Sequence, residues 1–246
     1  MGRHRGAEER VIGHWRNHWS GMRLVSGPAA ANERRLVEIV EAAWRPVGGK
    51  SVLEVGCGQG SISVAFAERG AMALCLDSAE RAVCHSAARL ASLNLHGYGC
   101  VGSGFDLPLA SDAVDVVAGG GLLEHFARDL RLAMLAEMSR VSRGCVVTLV
   151  PNGLDPFYRF AKRHLQQTNR WPWGEEHSLR GLSAEFEEAG MTVVHECSYD
   201  PQTTVDLVRD AIGLMPDQAD ALIRWQADED DDISCGYRLV TIGAVD

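Results

Sequence analysis

The sequence predicts an α/β fold: a mostly parallel sheet with helices on both faces. Two observations carry the prediction. Short apolar runs alternate with segments of helical period, and the first run, in SVLEVGCGQG at 51–60, breaks into a glycine at every second position. The runs SVLEV (51–55), MALCL (72–76), AVDVVA (113–118) and CVVTLV (145–150) are short and mostly apolar, as strands covered on both faces are. Between them, 61–69, 79–92 and 128–141 repeat apolar residues at helical spacing. YGCV (98–101) is a weaker strand that fits between the second and the fourth.

After Pro151 the pattern changes to an aromatic-rich connector with no strand or long helix. A helix follows near 178–189, stopped by Gly190, and MTVVHECSY and YRLVTIGAV supply two last strands. The sheet thus has about seven strands. Residues 1–45 form a helical preface, residues 203–227 are helical again, and the acidic run DEDDD (228–232) is a solvated loop without the oxygen spacing of a cation site. With no internal repeat and no linker composition, the expected organisation is a cap over 1–45 and one unit over 46–246.

The 246 residues are 46% hydrophobic, enough for a sizeable core. A formal charge of -9, with 24 Lys and Arg scattered along the chain, argues against a nucleic-acid partner. Seven cysteines, an odd number without CxxC spacing, read as reduced core thiols of a cytoplasmic protein. The basic start lacks an apolar stretch behind it, Gly6 stands where a myristoylation signal needs Ser or Thr, and no segment approaches the roughly 20 apolar residues of a spanning helix. A soluble, unprocessed chain with no membrane partner is expected; the oligomeric state is not legible.

The glycine loop excludes two common ligands. No Lys follows the glycines as a P-loop requires, and Ser61 occupies the last glycine position of a dinucleotide fingerprint. Alternate glycines let backbone approach a ligand closely and expose amides at the start of the next helix, a place for a carboxylate. Asp77, closing the second strand in LCLDSAE, is placed to accept hydrogen bonds from both hydroxyls of a ribose. Together they suggest a nucleoside that carries an amino acid.

VLEVGCGQG, LCLDSAE, FDLPLASDAVDVV and GLLEHF, in this order and spacing, resemble the motifs of class I S-adenosylmethionine-dependent methyltransferases of the small-molecule type over residues 50 to about 200. The resemblance implies a Rossmann-like seven-stranded sheet with an antiparallel last strand, S-adenosylmethionine as cofactor, and a catalytic unit over 46–246 whose segment 151–178 covers the substrate. It places the loop (Gly56, Cys57, Gly58, Gly60) beside the methionyl part and Asp77, with Ser78, on the ribose. Glu54 orders the loop, and Gly120 lies in the cofactor wall. Where the family usually has an Asp facing adenine, this chain has Ser103; Ser103, Gly104 and Phe105 inherit the adenine role, and Asp106 reads as a turn residue.

Acceptor-side candidates come from loops at the carboxyl ends of the strands. Glu124 and His125 follow the fourth strand. His125 has the pKa of a general base near neutral pH, while packing to hold the loop is the heavier reading. Asn152 orients an acceptor or caps the next helix, and Tyr158 adds a hydroxyl. Trp171 and Trp173 flank Pro172 in loop context, suited to a lid and to cation–π contact, whereas Phe157 and Phe160 read as core. Three adjacent residues, Glu175, Glu176 and His177, cannot all face one ion in a regular element, so no metal is expected and they read as helix caps or substrate contacts, His177 above all. His14 and His18, and Trp15 and Trp19, each four apart, form two neighbouring stripes on one helix. That helix packs on the body or, as in several small-molecule members of the family, covers the pocket. The expected reaction is methyl transfer to O or N of a small molecule. Two alternatives stand beside it: a reaction of the cofactor's aminocarboxypropyl chain releasing methylthioadenosine, and a non-catalytic partner protein that binds S-adenosylmethionine.

Overall fold

The computed structural model describes residues 2–21, 25–228 and 233–245. All but Asp228 of the acidic run lies outside the described residues. In chain order the elements are α1 (Gly2–Gly21), α2 (Ala31–Ala43), β1 (Ser51–Val55), α3 (Ser61–Glu68), β2 (Met72–Asp77), α4 (Glu80–Ser92), β3 (Gly97–Val101) and β4 (Val114–Gly120). A 3-10 turn (Leu123–His125) leads to α5 (Arg128–Val141), β5 (Ser142–Pro151), α6 (Pro156–Gln167), α7 (Ser183–Glu188), β6 (Thr192–Tyr199), α8 (Pro201–Ile212), α9 (Pro216–Asp228) and β7 (Arg238–Ala244).

The seven strands form one sheet in the order β3-β2-β1-β4-β5-β7-β6, with β7 antiparallel to both of its neighbours. β1 is buried over four of its five residues, the Glu54 carboxyl group among them, as in a strand covered on both faces. Helices bury both faces. Leu36, Val37, Val40 and Phe66 pack on one side with Val52 and Val116; Met134, Leu135, Met138 and Phe186 pack on the other with Leu53, Val117 and Val146.

The helical stretch expected over 203–227 is α8 and α9, which fill the chain between the last two strands. Two expectations change in the structure. The connector contains a twelve-residue helix, α6, which starts because Asp155 accepts the Phe157 and Tyr158 amides and Pro156 supplies a preset first turn. The preface divides: α2 belongs to the core, with Leu36, Val37 and Val40 fully buried, and only α1 crosses the carboxyl ends of the strands.

Candidate active site

Strand order reverses between β1 and β4, and a cavity of about 390 Å³ opens there at the carboxyl ends of the strands. One wall is the glycine loop. Gly58 and Gly60 hold φ of +49° and +67°, and a Cβ on Gly58 would stand 2.6 Å from the Trp19 ring while one on Gly60 would meet the Ser86 Cβ at 2.8 Å. Both positions therefore need glycine for conformation and for space. Arg89 ties the loop to the chain entering α2, donating to the carbonyls of Gly27 (2.8 Å), Pro28 (3.0 Å) and Gln59 (3.0 Å) and to Ser61 Oγ (3.1 Å).

Two buried carboxylates frame the loop. Glu54 Oε2 accepts from the Ser63 amide (2.8 Å) and from Ser63 Oγ (2.5 Å), and burial raises its pKa to about 7 against those bonds. Asp77 Oδ2 accepts from Gly58 N at 3.0 Å and Oδ1 from Ala79 N at 2.8 Å; burial pushes its pKa up and the amides oppose it. Each Asp77 oxygen has a further lone pair to offer a hydroxyl. Across the cavity, Ser103, Gly104 and Phe105 form the next wall, with Ser103 Oγ accepting from Phe105 N at 3.2 Å and Phe105 edge-on to Phe126 at 5.2 Å. Asp106 is exposed and bridges Ser103 in a turn.

α1 roofs the cavity. Trp15 and Trp19 are stacked 6.1 Å apart, and His14 and His18 at 6.3 Å, the two stripes that their spacing predicts. Trp15 and Trp19 face inward and Trp173 joins them, 6.2 Å from His18. Arg16 Nε donates to the Ser78 carbonyl at 3.0 Å, fastening the roof beside Asp77.

The deep end is polar. His125 Nδ1 lies 2.9 Å from the Glu175 carbonyl oxygen, which requires a proton on Nδ1 and leaves the Nε2 lone pair free. Burial lowers the pKa of His125, so the ring is neutral at pH 7. Glu124 Oε1 is 3.9 Å from His125 Nε2, its Oε2 is buried without a hydrogen-bond partner, and burial raises its pKa to about 8. Glu176 Oε2 pairs with Lys162 Nζ at 2.9 Å and accepts from the Tyr158 hydroxyl at 3.2 Å. The His177 amide donates to the Glu124 carbonyl at 2.7 Å, which holds the connector against the turn after β4.

Glu54, Gly56, Cys57, Gly58, Asp77, Ser78, Ser103, Gly104, Phe105, Gly120, His125, Trp15, Trp19 and Trp173 share this cavity, and Gly60 supports the loop from behind. Four candidates do not reach it. Asn152 is fully buried and spends its amide on the Ile233 and Gly236 carbonyls, and the helix cap is Asp155 instead. Trp171 packs with Ala161, Leu165 and Val208. The His177 side chain is exposed outside the wall. Tyr158 sits behind Glu176, and burial with the neighbouring carboxylates holds its phenol far above the usual range, so it does not titrate as a base. Phe160, expected in the core, is 49% exposed.

Glu124, expected beside His125 at the cofactor's edge, and Glu176, expected as a cap or substrate contact, both line the cavity; Tyr237 and Arg238 also line it, and no local signal marks the start of β7. Among the described residues, Glu124, His125 and Glu176 bring ligand-type atoms within 4.8 Å of one another, so Glu176 converges with distant residues rather than with its chain neighbours.

Residues 52–144 match the sequence pattern of a methyltransferase domain. The seven-stranded sheet that continues beyond this segment, with its antiparallel last strand, is the class I methyltransferase fold. Geranyl diphosphate C-methyltransferase from Streptomyces coelicolor A3(2), solved with Mg2+, geranyl diphosphate and S-adenosyl-L-homocysteine, superposes with a TM-score of 0.63 at 15% identity, covering 98% of each chain. Magnesium protoporphyrin IX methyltransferase from Synechocystis PCC 6803, solved with S-adenosylhomocysteine, gives 0.61 at 12% identity, covering 99% of this chain and 98% of that one. At these identities the likeness is one of fold. No curated protein matches the chain by sequence. No helix among the described residues is long and apolar enough to cross a membrane.

Proposed function

We propose that the methyltransferase domain transfers a methyl group from S-adenosylmethionine to O or N of a small molecule inside the cavity roofed by α1. The observation that carries this reading is that one cavity joins the glycine loop and Asp77 to a polar end with an unbonded base nitrogen. S-adenosylmethionine supplies a sulfonium methyl group that is already activated. The residues present fit it: Gly56 and Gly58, both at positive φ, bring loop backbone to the cavity wall, and the Asp77 oxygens there keep lone pairs for ribose hydroxyls. Glu54 holds the loop on α3, Cys57 and Ser78 flank it, and Ser103, Gly104 and Phe105 face the adenine. Gly120 keeps the floor clear, since a Cβ there would meet Ile62 at 2.7 Å.

In this reading Trp15, Trp19 and Trp173 exclude water and position the acceptor, so that α1 and the inward side chains of 151–178 cover the substrate. His125 Nε2 accepts the proton that an O–H or N–H acceptor loses. Its neutral state follows from burial and from the Glu175 carbonyl that fixes its tautomer. The test is incubation of the protein with S-adenosylmethionine, alone and with a pooled metabolite extract, followed by mass spectrometry of the nucleosides. S-adenosylhomocysteine formed only with extract is expected. Methylthioadenosine formed without extract would replace methyl transfer by chemistry of the aminocarboxypropyl chain.

A further inference from the structure

We infer that the acceptor is an amine, whose nitrogen sits between Glu124, His125 and Glu176. The inference rests on the proposed methyl transfer and names its substrate class. Glu124 is 2% exposed and its Oε2 has no partner. Leaving such an atom unpaired is destabilising, and a polar group on the ligand removes that cost.

A metal ion holds its ligands at about 2.1 Å, drawing them roughly 3.0–3.4 Å apart. A tetrahedral nitrogen donating at about 2.9 Å sets its acceptors roughly 4.7 Å apart. The 3.9 Å between His125 Nε2 and Glu124 Oε1 lies between the two spacings, so the choice rests on the donors a ligand brings. An alcohol has one proton to donate and three acceptors face inward, whereas an ammonium group has three. The Trp15 ring, 4.9 Å from His125, adds a π face beside the charge. Lys162 already pairs with Glu176, and Glu124, kept a neutral acid by burial, ionises beside an arriving ammonium.

The step balances. An arriving ammonium passes one proton to His125 Nε2, which returns it to solvent after the reaction; the freed nitrogen lone pair forms the N–C bond while the S–CH3 bond breaks with its electron pair left on sulfur. The product leaves as the methylammonium ion.

The experiment measures binding of benzylamine, phenethylamine and hexylamine, each beside its alcohol, to protein saturated with S-adenosylhomocysteine, and of Co2+ alone by its visible spectrum. At least one amine binds tenfold or more tightly than its alcohol, and Glu124→Gln removes the preference while S-adenosylhomocysteine affinity stays. Equal binding of every pair, or a preference that survives Glu124→Gln, overturns the inference. Tight Co2+ uptake lost in Glu124→Gln overturns it in favour of a metal centre. Failure to bind S-adenosylhomocysteine sinks the methyltransferase reading and this inference with it; binding without amine preference sinks the inference alone.

Discussion

The two ends of the cavity are built differently. At the glycine-loop end, backbone does the shaping: positive φ at Gly58 and Gly60, amides of Gly58 and Ala79 on Asp77, and a clamp from Glu54 to Ser63, all within one strand–turn–helix–strand segment. At the polar end, side chains from α1, the turn after β4, α6 and the connector meet, and a salt bridge between two side chains only 6% and 3% exposed holds them. The first end tolerates little change and has one plausible ligand shape; the second is where acceptor choice is made.

The largest effect expected is at the loop. Gly58→Val introduces a β-branched residue at positive φ against Trp19 and abolishes measurable S-adenosylhomocysteine binding in calorimetry. Repeating it in a Trp19→Ala background sharpens the contrast: rescue would show that the roof, not the backbone conformation, sets the glycine requirement. At the other end, Lys162→Met strands buried Glu176 without a countercharge and lowers stability in urea unfolding by about 3–5 kcal/mol. A loss below about 1 kcal/mol, the value of an exposed pair, would break the picture of a dry, side-chain-built end.

Asp77→Ala comes next, weakening S-adenosylhomocysteine binding by about 1.5–3 kcal/mol, the scale of hydrogen bonds to a charged group. Unchanged affinity would detach Asp77 from the ribose. The smallest effect is Trp19→Ala, which removes a π face worth about 0.5–2 kcal/mol from the roof. It is read as the difference in affinity between S-adenosylmethionine and S-adenosylhomocysteine, which lacks the sulfonium charge. Equal losses for both would make Trp19 a packing surface and not a partner of the sulfonium.

The same contrast explains what was legible beforehand. α5 was read at its observed bounds and β1 likewise, because a helical or continuous apolar period is a local property of consecutive residues. The connector was read without its helix because the Asp155 cap and Pro156 mark a start that aromatic composition obscured. Asn152 and Trp171 looked available in the sequence, yet each is used up by neighbours from elsewhere in the chain, Ile233 and Gly236 for the one and Val208 for the other.

By itself, the sequence determined the parallel sheet, the glycine turn and the acidic end of β2, since each depends on residues a few positions apart and on backbone sterics. Tertiary structure alone decided that Trp15 touches His125, that Glu176 faces Glu124, and that Tyr158 is walled off behind them. Those contacts join segments far apart in the chain. Their pairing is set by how α1 and the connector fold over the sheet, which no local pattern encodes.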